Sequence, residues 1–317
     1  MYCIKKMFNH ELFQGKNKKR NYFEGWYFKI INKNKTNAFA IIPGVSYDNN
    51  KKDNHAFIQV LDINNNVYYF RFDISDFKFN KKKFEVKIGD NYFSKNKVHL
   101  NLRNNKITIS GSLRFNNIVE LPKSFYIPGI MGPFSYIPFM ECYHAIVNIH
   151  HEIDGFIKVN EEKIFFNDGY GYIEKDWGKS FPKSWIWLQS NHFKNNDVSV
   201  MFSVADIPFM GRTFKGFISF IRIKEIVYIF ATYTNAKLQI YNINTETPKI
   251  LLIDKKYKLE IDINKISGGI LKAPDKGLMK RNIKESLNAI IQVKLSDHTG
   301  FTIFEGSGTN TGLEIVK

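Results

Sequence analysis

Apolar and polar residues alternate with a period of two along most of this chain. Clear examples are AFAIIPGV (38–45), HAFIQVLDI (55–63), VYYFRFDI (67–74) and KITISGSLRF (106–115). HAIVNI (144–149) and GFIKVN (155–160) continue the pattern, and so do DVSVMFSVADI (197–207), GFISFIRI (216–223), EIVYIFATY (225–233), KLQIYNI (237–243) and YKLEIDI (257–263). Side chains two apart share one face of a strand, so this pattern predicts strands with one face buried. Clusters of Asn, Asp, Gly and Lys separate the segments and supply the turns. KRNIKESLNAIIQVKL (280–295) could be drawn as a helix, but its β-branched, alternating second half predicts mostly strand. The expected fold class is therefore all-β.

One segment breaks the rhythm. ELPKSFYIPGIMGPFSYIPF (120–139) carries four prolines. Proline lacks the ladder donor, so this stretch is expected to be a long loop laid across a sheet or barrel. A softer break falls at KNND (194–197). The strands are too many for one small barrel. Two β-rich domains are expected, 21–190 and 191–317, behind a basic N-terminal tail over 1–20.

Composition narrows the function classes. With 44% hydrophobic and 15% aromatic residues the 317-residue chain can bury a substantial core. No apolar run approaches the roughly 18–20 residues of a spanning helix, and the N-terminus has no secretory h-region. A cytoplasmic protein is expected, at most touching a membrane from outside. Cys3 and Cys142 form no disulfide framework and no paired ligand spacing. The net charge of +16 comes from lysines scattered over loops, without a nucleic-acid-binding motif. No nucleic-acid partner is expected; peripheral attraction to an anionic membrane fits the charge better.

The residues that invite chemistry cluster in GYIEKDWGKSFPKSWIWLQSNHF (171–193), which holds three of the four tryptophans. Alternation places Tyr172, Glu174 and Asp176 on one face, with Ile173, Lys175 and Trp177 on the other. On a dry face, one of those acids would keep its proton, the state a proton donor needs. NYFEGWYFK (21–29) places Glu24, Trp26 and Phe28 together. FMECYHAI (139–146) places Glu141 with Tyr143, and Cys142 with His144. SWIWLQSN (184–191) aligns Trp185, Trp187, Gln189 and Asn191. The turn GKSFPKS is expected to fold that strand beside GYIEKDWG. Rings with an acid or amide on four strands suggest an aromatic-walled pocket for a hydrophobic small molecule.

Other constellations carry less. His144 with the His150, His151 and Glu152 of NIHHEIDG (148–155) could suggest a metal, but that segment reads as a hairpin turn and no metal is expected. GYGY and GSGTNTG lack the strand–helix context of a phosphate cradle. No nucleophile elbow is present.

YFEGWYFK (22–29), GPFSYIPFMECYHAI (132–146), GYGYIEKDWGKSFPKSWIWLQSNHF (169–193), LKAPDKGLM (271–279) and GTNTGLE (308–314) together resemble the tocopherol cyclase-like family, itself related to carotenoid hydratases of the hydroxyneurosporene synthase type. The resemblance implies two lipocalin-like (calycin-like) antiparallel β-barrel domains. It also implies a cofactor-independent cyclase that protonates a prenyl double bond and closes a chromanol ring with a phenol oxygen. On that reading Asp176 is the first candidate donor, followed by Glu174, with Glu24 and Glu141 as rivals. Tyr143 or His144 would orient or deprotonate the phenol. Trp26, Trp177, Trp185 and Trp187 would line the wall with Gln189 and Asn191. The alternatives are a non-catalytic carrier of an isoprenoid or other hydrophobic ligand, and an isoprenoid hydratase.

Overall fold

The computed structural model describes residues 8–194, 197–209 and 211–317. Among these residues all regular structure is β apart from four 3-10 turns. No helix among them is long and apolar enough to cross a membrane. Cys3 lies outside the described residues.

The chain forms two compact units. The first runs to Phe181 and takes in Ile270–Ile283, and the second comprises Pro182–Gly269 and Lys284–Lys317. A single cut near residue 190 does not describe this division, because 270–283 return to the first unit. Alternation predicts strands but says nothing about which sheet a hairpin joins.

In the first unit the strands are β1 Tyr22–Ile31, β2 Ala38–Tyr47, β3 His55–Asp62, β4 Val67–Asp73, β5 Phe77–Phe79 and β6 Glu85–Ile88. They continue as β7 Asn91–Ser94, β8 Lys97–Arg103, β9 Thr108–Val119, β10 Cys142–Val159, β11 Glu162–Phe165 and β12 Gly169–Gly178. The sheet order is β4-β3-β2-β1-β12-β10-β9-β8-β7-β6-β5, with β11 paired to β10. Its two edges, β4 and β5, are consecutive in the chain and joined by one 3-10 turn, Ile74–Asp76. So short a link makes the sheet curl until its edges meet, which yields an up-and-down barrel with one open seam. Trp26, Phe28, Ile41, Ile58, Val98, Leu100, Leu113 and Ile173 fill its interior.

The second unit repeats this plan. Its sheet comprises β13 Trp185–Ser190, β14 Val198–Phe209, β15 Arg212–Ile223, β16 Ile226–Ala231, β17 Lys237–Tyr241, β18 Lys249–Ile253, β19 Tyr257–Asn264, β20 Gly269–Asp275, β21 Leu278–Asp297 and β22 Thr302–Val316, of which β20 from Ile270 and β21 as far as Ile283 belong to the first unit. They order as β16-β15-β14-β13-β22-β21-β19-β18-β17, with β20 paired to β21. The edges β16 and β17 are again consecutive, joined through the 3-10 turn Thr232–Thr234. Both units are thus lipocalin-like antiparallel barrels, as expected.

Two local expectations change. NIHHEIDG is not a turn. It lies inside the 18-residue β10, whose pairing with β12 slips between Ile146 and Asn148 and again before His151. Such bulges absorb extra residues without ending a strand, and alternation cannot register them. Nor does the strand of Trp185 pair with that of Asp176: β13 pairs with β14 and β22, while β12 pairs with β1 and β10.

Two structural roles account for motifs noted in the sequence. LKAPDKGLM forms the β20–β21 hairpin, whose tip is held to the first unit by Ser46 Oγ donating to Gly277 O at 2.7 Å and Gly277 N donating to Lys179 O at 2.7 Å. Gly277 has φ +88°, and a Cβ there would lie 2.3 Å from Tyr47 O and 2.5 Å from Tyr22 N. Only glycine meets both demands. Part of the expected N-terminal tail is also folded. Phe13 enters the first core, and Trp26 Nε1 donates to Glu11 O at 2.9 Å.

Candidate active site

β10 and β12 pair so that His144 lies opposite Asp176 and Ile146 opposite Glu174. Directly opposed residues share a face, so His144, Glu174 and Asp176 project together. Their face is the one turned away from the barrel interior, since Ile173 and Trp177 pack with the core. His144 Nδ1 is 2.9 Å from Asp176 Oδ1, and its Nε2 is 3.6 Å from Glu174 Oε2. Tyr172 OH donates to Glu174 Oε2 at 2.6 Å. The alternation read from the sequence thus groups Tyr172, Glu174 and Asp176 correctly, and the fold adds His144.

The cluster is graded in exposure. Tyr172 and Glu174 are buried, while the side chains of His144 and Asp176 are 14% and 22% exposed. Burial, followed by the Glu174 charge and hydrogen bond, pushes the Tyr172 phenol well above its ordinary pKa, so it remains a donor. Burial also raises the Cys142 thiol, with Asp176 contributing next. Cys142 therefore acts as a neutral neighbour of the acids.

Glu24 occupies a different setting. It faces the barrel interior opposite Trp177 and is fully buried. Lys175 Nζ lies 2.5 Å from its Oε1, and the backbone N–H groups of Gln14 (2.8 and 3.0 Å) and Gly15 (2.9 Å) donate to its carboxylate. Tyr22 OH donates to it as well. Lys175 also donates to His10 O (2.7 Å) and Leu12 O (2.5 Å), and sits over the rings of Trp26 and Trp177 at 4.8 and 4.7 Å. A buried carboxylate so fully paired holds the N-terminal segment in place. Its carboxylate oxygens are engaged by protein donors inside the barrel and do not join the His144 cluster.

The remaining candidates divide between the two faces and the two units. Tyr143 stacks on Trp177 with centroids 5.3 Å apart, on the interior side. Its hydroxyl donates to Ile137 O at 2.8 Å and accepts from Met140 N at 3.2 Å, so it braces the proline-rich loop. Glu141 precedes β10 on the Tyr143 side of the alternation, and its carbonyl accepts from Lys179 N at 2.8 Å. Trp26 and Trp177 wall in Lys175, not the acids. Period-two alternation already separates Trp177 from Asp176, so these rings belong to the core. His151 packs 4.1 Å from Phe115, His150 4.7 Å from Tyr170, and Glu152 accepts from Asn117, so these three do not converge on a metal.

Trp185, Trp187, Gln189 and Asn191 lie in the second unit and are buried. Trp185 Nε1 donates to Glu314 Oε2 at 2.5 Å, and Glu314 pairs across the ladder with the buried Glu285. Neither acid was singled out from the sequence, although Glu314 closes the GTNTGLE motif. Tyr27, opposite Glu174 on β1, and Phe57 were missed too. Phe57 lies over Gly44, where a Cβ would meet its ring at 2.6 Å. The second unit also holds a cavity of about 460 Å³ lined by Trp185, Ile186, Val204, Asp206, Lys215 and Ile315 among others.

Among the described residues, His144, Glu174 and Asp176 are the group able to offer three metal ligands, with ligand atoms all within 4.8 Å of one another. The same atoms suit proton transfer, since an imidazole between two carboxylates can take up or release a proton on either side.

The family profile described as "Tocopherol cyclase-like" matches residues 122–316, more than half of the chain and the part that contains this cluster. The chain belongs to the tocopherol cyclase-like family. The chloroplastic tocopherol cyclase of Zea mays is 32% identical over 68 residues, which span 22% of this chain and 14% of the maize protein. Among solved structures, CghA with bound Sch210972 is similar with TM-score 0.56 at 9% identity, covering 93% of this chain and 89% of that one. Kievitone hydratase from Nectria haematococca is similar with TM-score 0.51 at 11% identity, covering 96% of this chain and 93% of that one. Identities this low speak for the shared two-barrel fold alone.

Proposed function

We propose that this protein is an acid–base enzyme that closes a ring on a prenylated phenol or quinol, with Asp176 as proton donor. The observation that carries the reading is His144 set between Asp176 and Glu174 on one face of a partly dry cluster. An alkene is a very weak base, so its protonation needs a carboxylic acid held where water is scarce. Asp176 is the more exposed carboxyl and the one a substrate reaches. Glu174, fixed by Tyr172, stays behind His144, and the imidazole stabilises the carboxylate left when Asp176 gives up its proton.

The steps balance without oxidant or reductant. The Asp176 O–H bond breaks and its proton adds to the less substituted alkene carbon, leaving a tertiary cation. The phenol oxygen bonds to that cation and releases its proton to the Asp176 carboxylate, directly or through His144. Product and substrate are isomers, and the cluster ends as it began. Tyr27, whose strand position faces Glu174, and Phe57 would supply π-faces toward the cation, each attracting it by about 0.5–2 kcal/mol. If water replaced the phenol, the same donor would perform a hydration, the reaction named for the similar Nectria protein.

The test is turnover of a prenylated hydroquinone in D₂O. The cyclase reading expects a chromanol carrying one deuterium next to the new C–O carbon. A product heavier by one water would make the enzyme a hydratase. The cavity of the second unit favours a second reading, a carrier, and substrate bound saturably but recovered without deuterium would establish it.

A further inference from the structure

Large apolar side chains exposed on this protein are mostly scattered singly, as Phe165, Ile226, Tyr241, Ile266, Ile270 and Phe301 are. Three lie on one loop instead: Phe125 is 72%, Tyr126 78% and Phe139 95% exposed. All belong to the proline-rich connection between β9 and β10. Scattered apolar residues need no explanation, but aromatic rings concentrated on one loop do.

The loop is built to present these rings. Ser124 and Ile127 exchange backbone hydrogen bonds at 2.9 and 3.1 Å, and the Ser124 hydroxyl accepts from Ile127 N at 3.1 Å, closing a tight turn with Phe125 and Tyr126 at its tip. Tyr136 OH donates to Phe125 O, bracing the turn from behind. Phe139 has φ +65°, a left-handed conformation that is unfavourable for a bulky residue. It is kept there by the hydroxyl of Tyr143, which bonds Ile137 O on one side and Met140 N on the other. Strain held by clamps on both sides of an exposed ring points to use of that ring. The inner part of the loop is fixed instead: Ile130 and Met131 are buried, and His144 N donates to Met131 Sδ at 3.2 Å.

We propose that the loop 120–139 docks this protein on the surface of a bilayer containing anionic lipid, with Phe125, Tyr126 and Phe139 entering the headgroup–acyl boundary. Amphipathic rings favour that boundary, and single rings can enter it separately. A protein partner would need a continuous patch of roughly 800 Å² per side, which rings at two points of a narrow loop do not provide. Charge beside the loop is balanced, with Lys123 3.9 Å from Glu11 and Lys95 paired to Glu120. The rings therefore select the site, while the net charge of +16 on the whole chain draws it to an anionic surface. Because Tyr143 and Met131 tie the loop to the β10 residues around His144, docking would place the acid cluster close to a lipid-soluble substrate. The docking itself does not depend on the reaction proposed above.

The experiment is co-sedimentation of the full chain with vesicles of phosphatidylcholine and phosphatidylglycerol. The wild type should sediment, and Phe125→Ser/Tyr126→Ser/Phe139→Ser should lose about tenfold or more in partitioning while keeping its circular dichroism spectrum and melting temperature. Phe165→Ser/Phe301→Ser, two substitutions at other exposed rings, should sediment like wild type. Phe139→Trp should gain a blue-shifted emission component on the vesicles. Asp176→Asn should bind unchanged, which separates docking from catalysis. Equal sedimentation of the triple variant and wild type overturns the proposal, as does failure of the wild type to sediment. So does a wild-type dimer that the triple substitution dissolves, since the rings would then meet a second copy.

Discussion

His144 stands directly across the β10–β12 ladder from Asp176, with Nδ1 2.9 Å from Oδ1. Glu174, two residues along β12, meets the other imidazole nitrogen at 3.6 Å. The backbone ladder thus sets the spacing of the proton-transfer groups, and no mobile loop is needed to bring them together.

Substitution of either partner should remove chemistry without unfolding the protein. Asp176→Asn should lower turnover of a prenylated hydroquinone by about 10²- to 10⁴-fold, and His144→Gln by a similar factor, with substrate binding retained. Tyr172→Phe should cost less, because it loosens Glu174 and leaves Asp176 untouched. Single-turnover kinetics with equilibrium binding will check this. Full activity in Asp176→Asn would eliminate it as the donor.

The same three groups should capture zinc. An imidazole and two carboxylates with ligand atoms within 4.8 Å form a reasonable Zn²⁺ site, and bound zinc would occupy the atoms that carry the proton. Micromolar ZnCl₂ should inhibit turnover, and EDTA should restore it. In Asp176→Asn, zinc affinity measured by calorimetry should fall at least tenfold.

Glu24 and Lys175 should matter for stability. Lys175→Met leaves a buried carboxylate without its counter-ion and should destabilise by about 3–5 kcal/mol in urea titrations. Glu24→Gln/Lys175→Met should recover a large part of that loss. Limited proteolysis near residues 10–15 should accelerate in Lys175→Met, because Lys175 holds the carbonyls of His10 and Leu12.

Acid should destabilise the fold through buried histidines. Burial, with Lys123 and Lys175 adding to it, lowers His10 from 6.5 to about 3, and burial holds His151 well below its usual value. Both are neutral when folded and bind a proton more readily when unfolded. The unfolded state therefore takes up more protons below pH 6.5, and stability falls as pH drops toward the folded value. The slope should reach at most about 1.4 kcal/mol per pH unit for each histidine. Denaturant titrations between pH 7 and 4 will measure it, and His10→Gln should flatten the curve.

Much of this was readable in the chain because alternation is a local property. Strand identity, the all-β class and the shared face of Tyr172, Glu174 and Asp176 depend only on residues two apart. The proline-rich 120–139 segment was legible as a loop for the equally local reason that proline cannot donate to a ladder. Glu24 and Trp26 show the limit of the method. Alternation placed an acid among rings, but nothing local revealed that Lys175 and two backbone amides would consume the charge.

By itself, the sequence determined most of the strands, which side chains share a strand face between bulges, and that the proline-rich 120–139 segment leaves the ladder. Only the tertiary structure decided which strands become neighbours. It set His144 against Asp176, sent Trp185 and Trp187 to a different sheet, and turned Trp177 toward the core. The reason is physical: a period-two pattern defines two faces for each strand, but register and sheet order come from long-range pairing and from how the whole set of apolar faces closes into barrels.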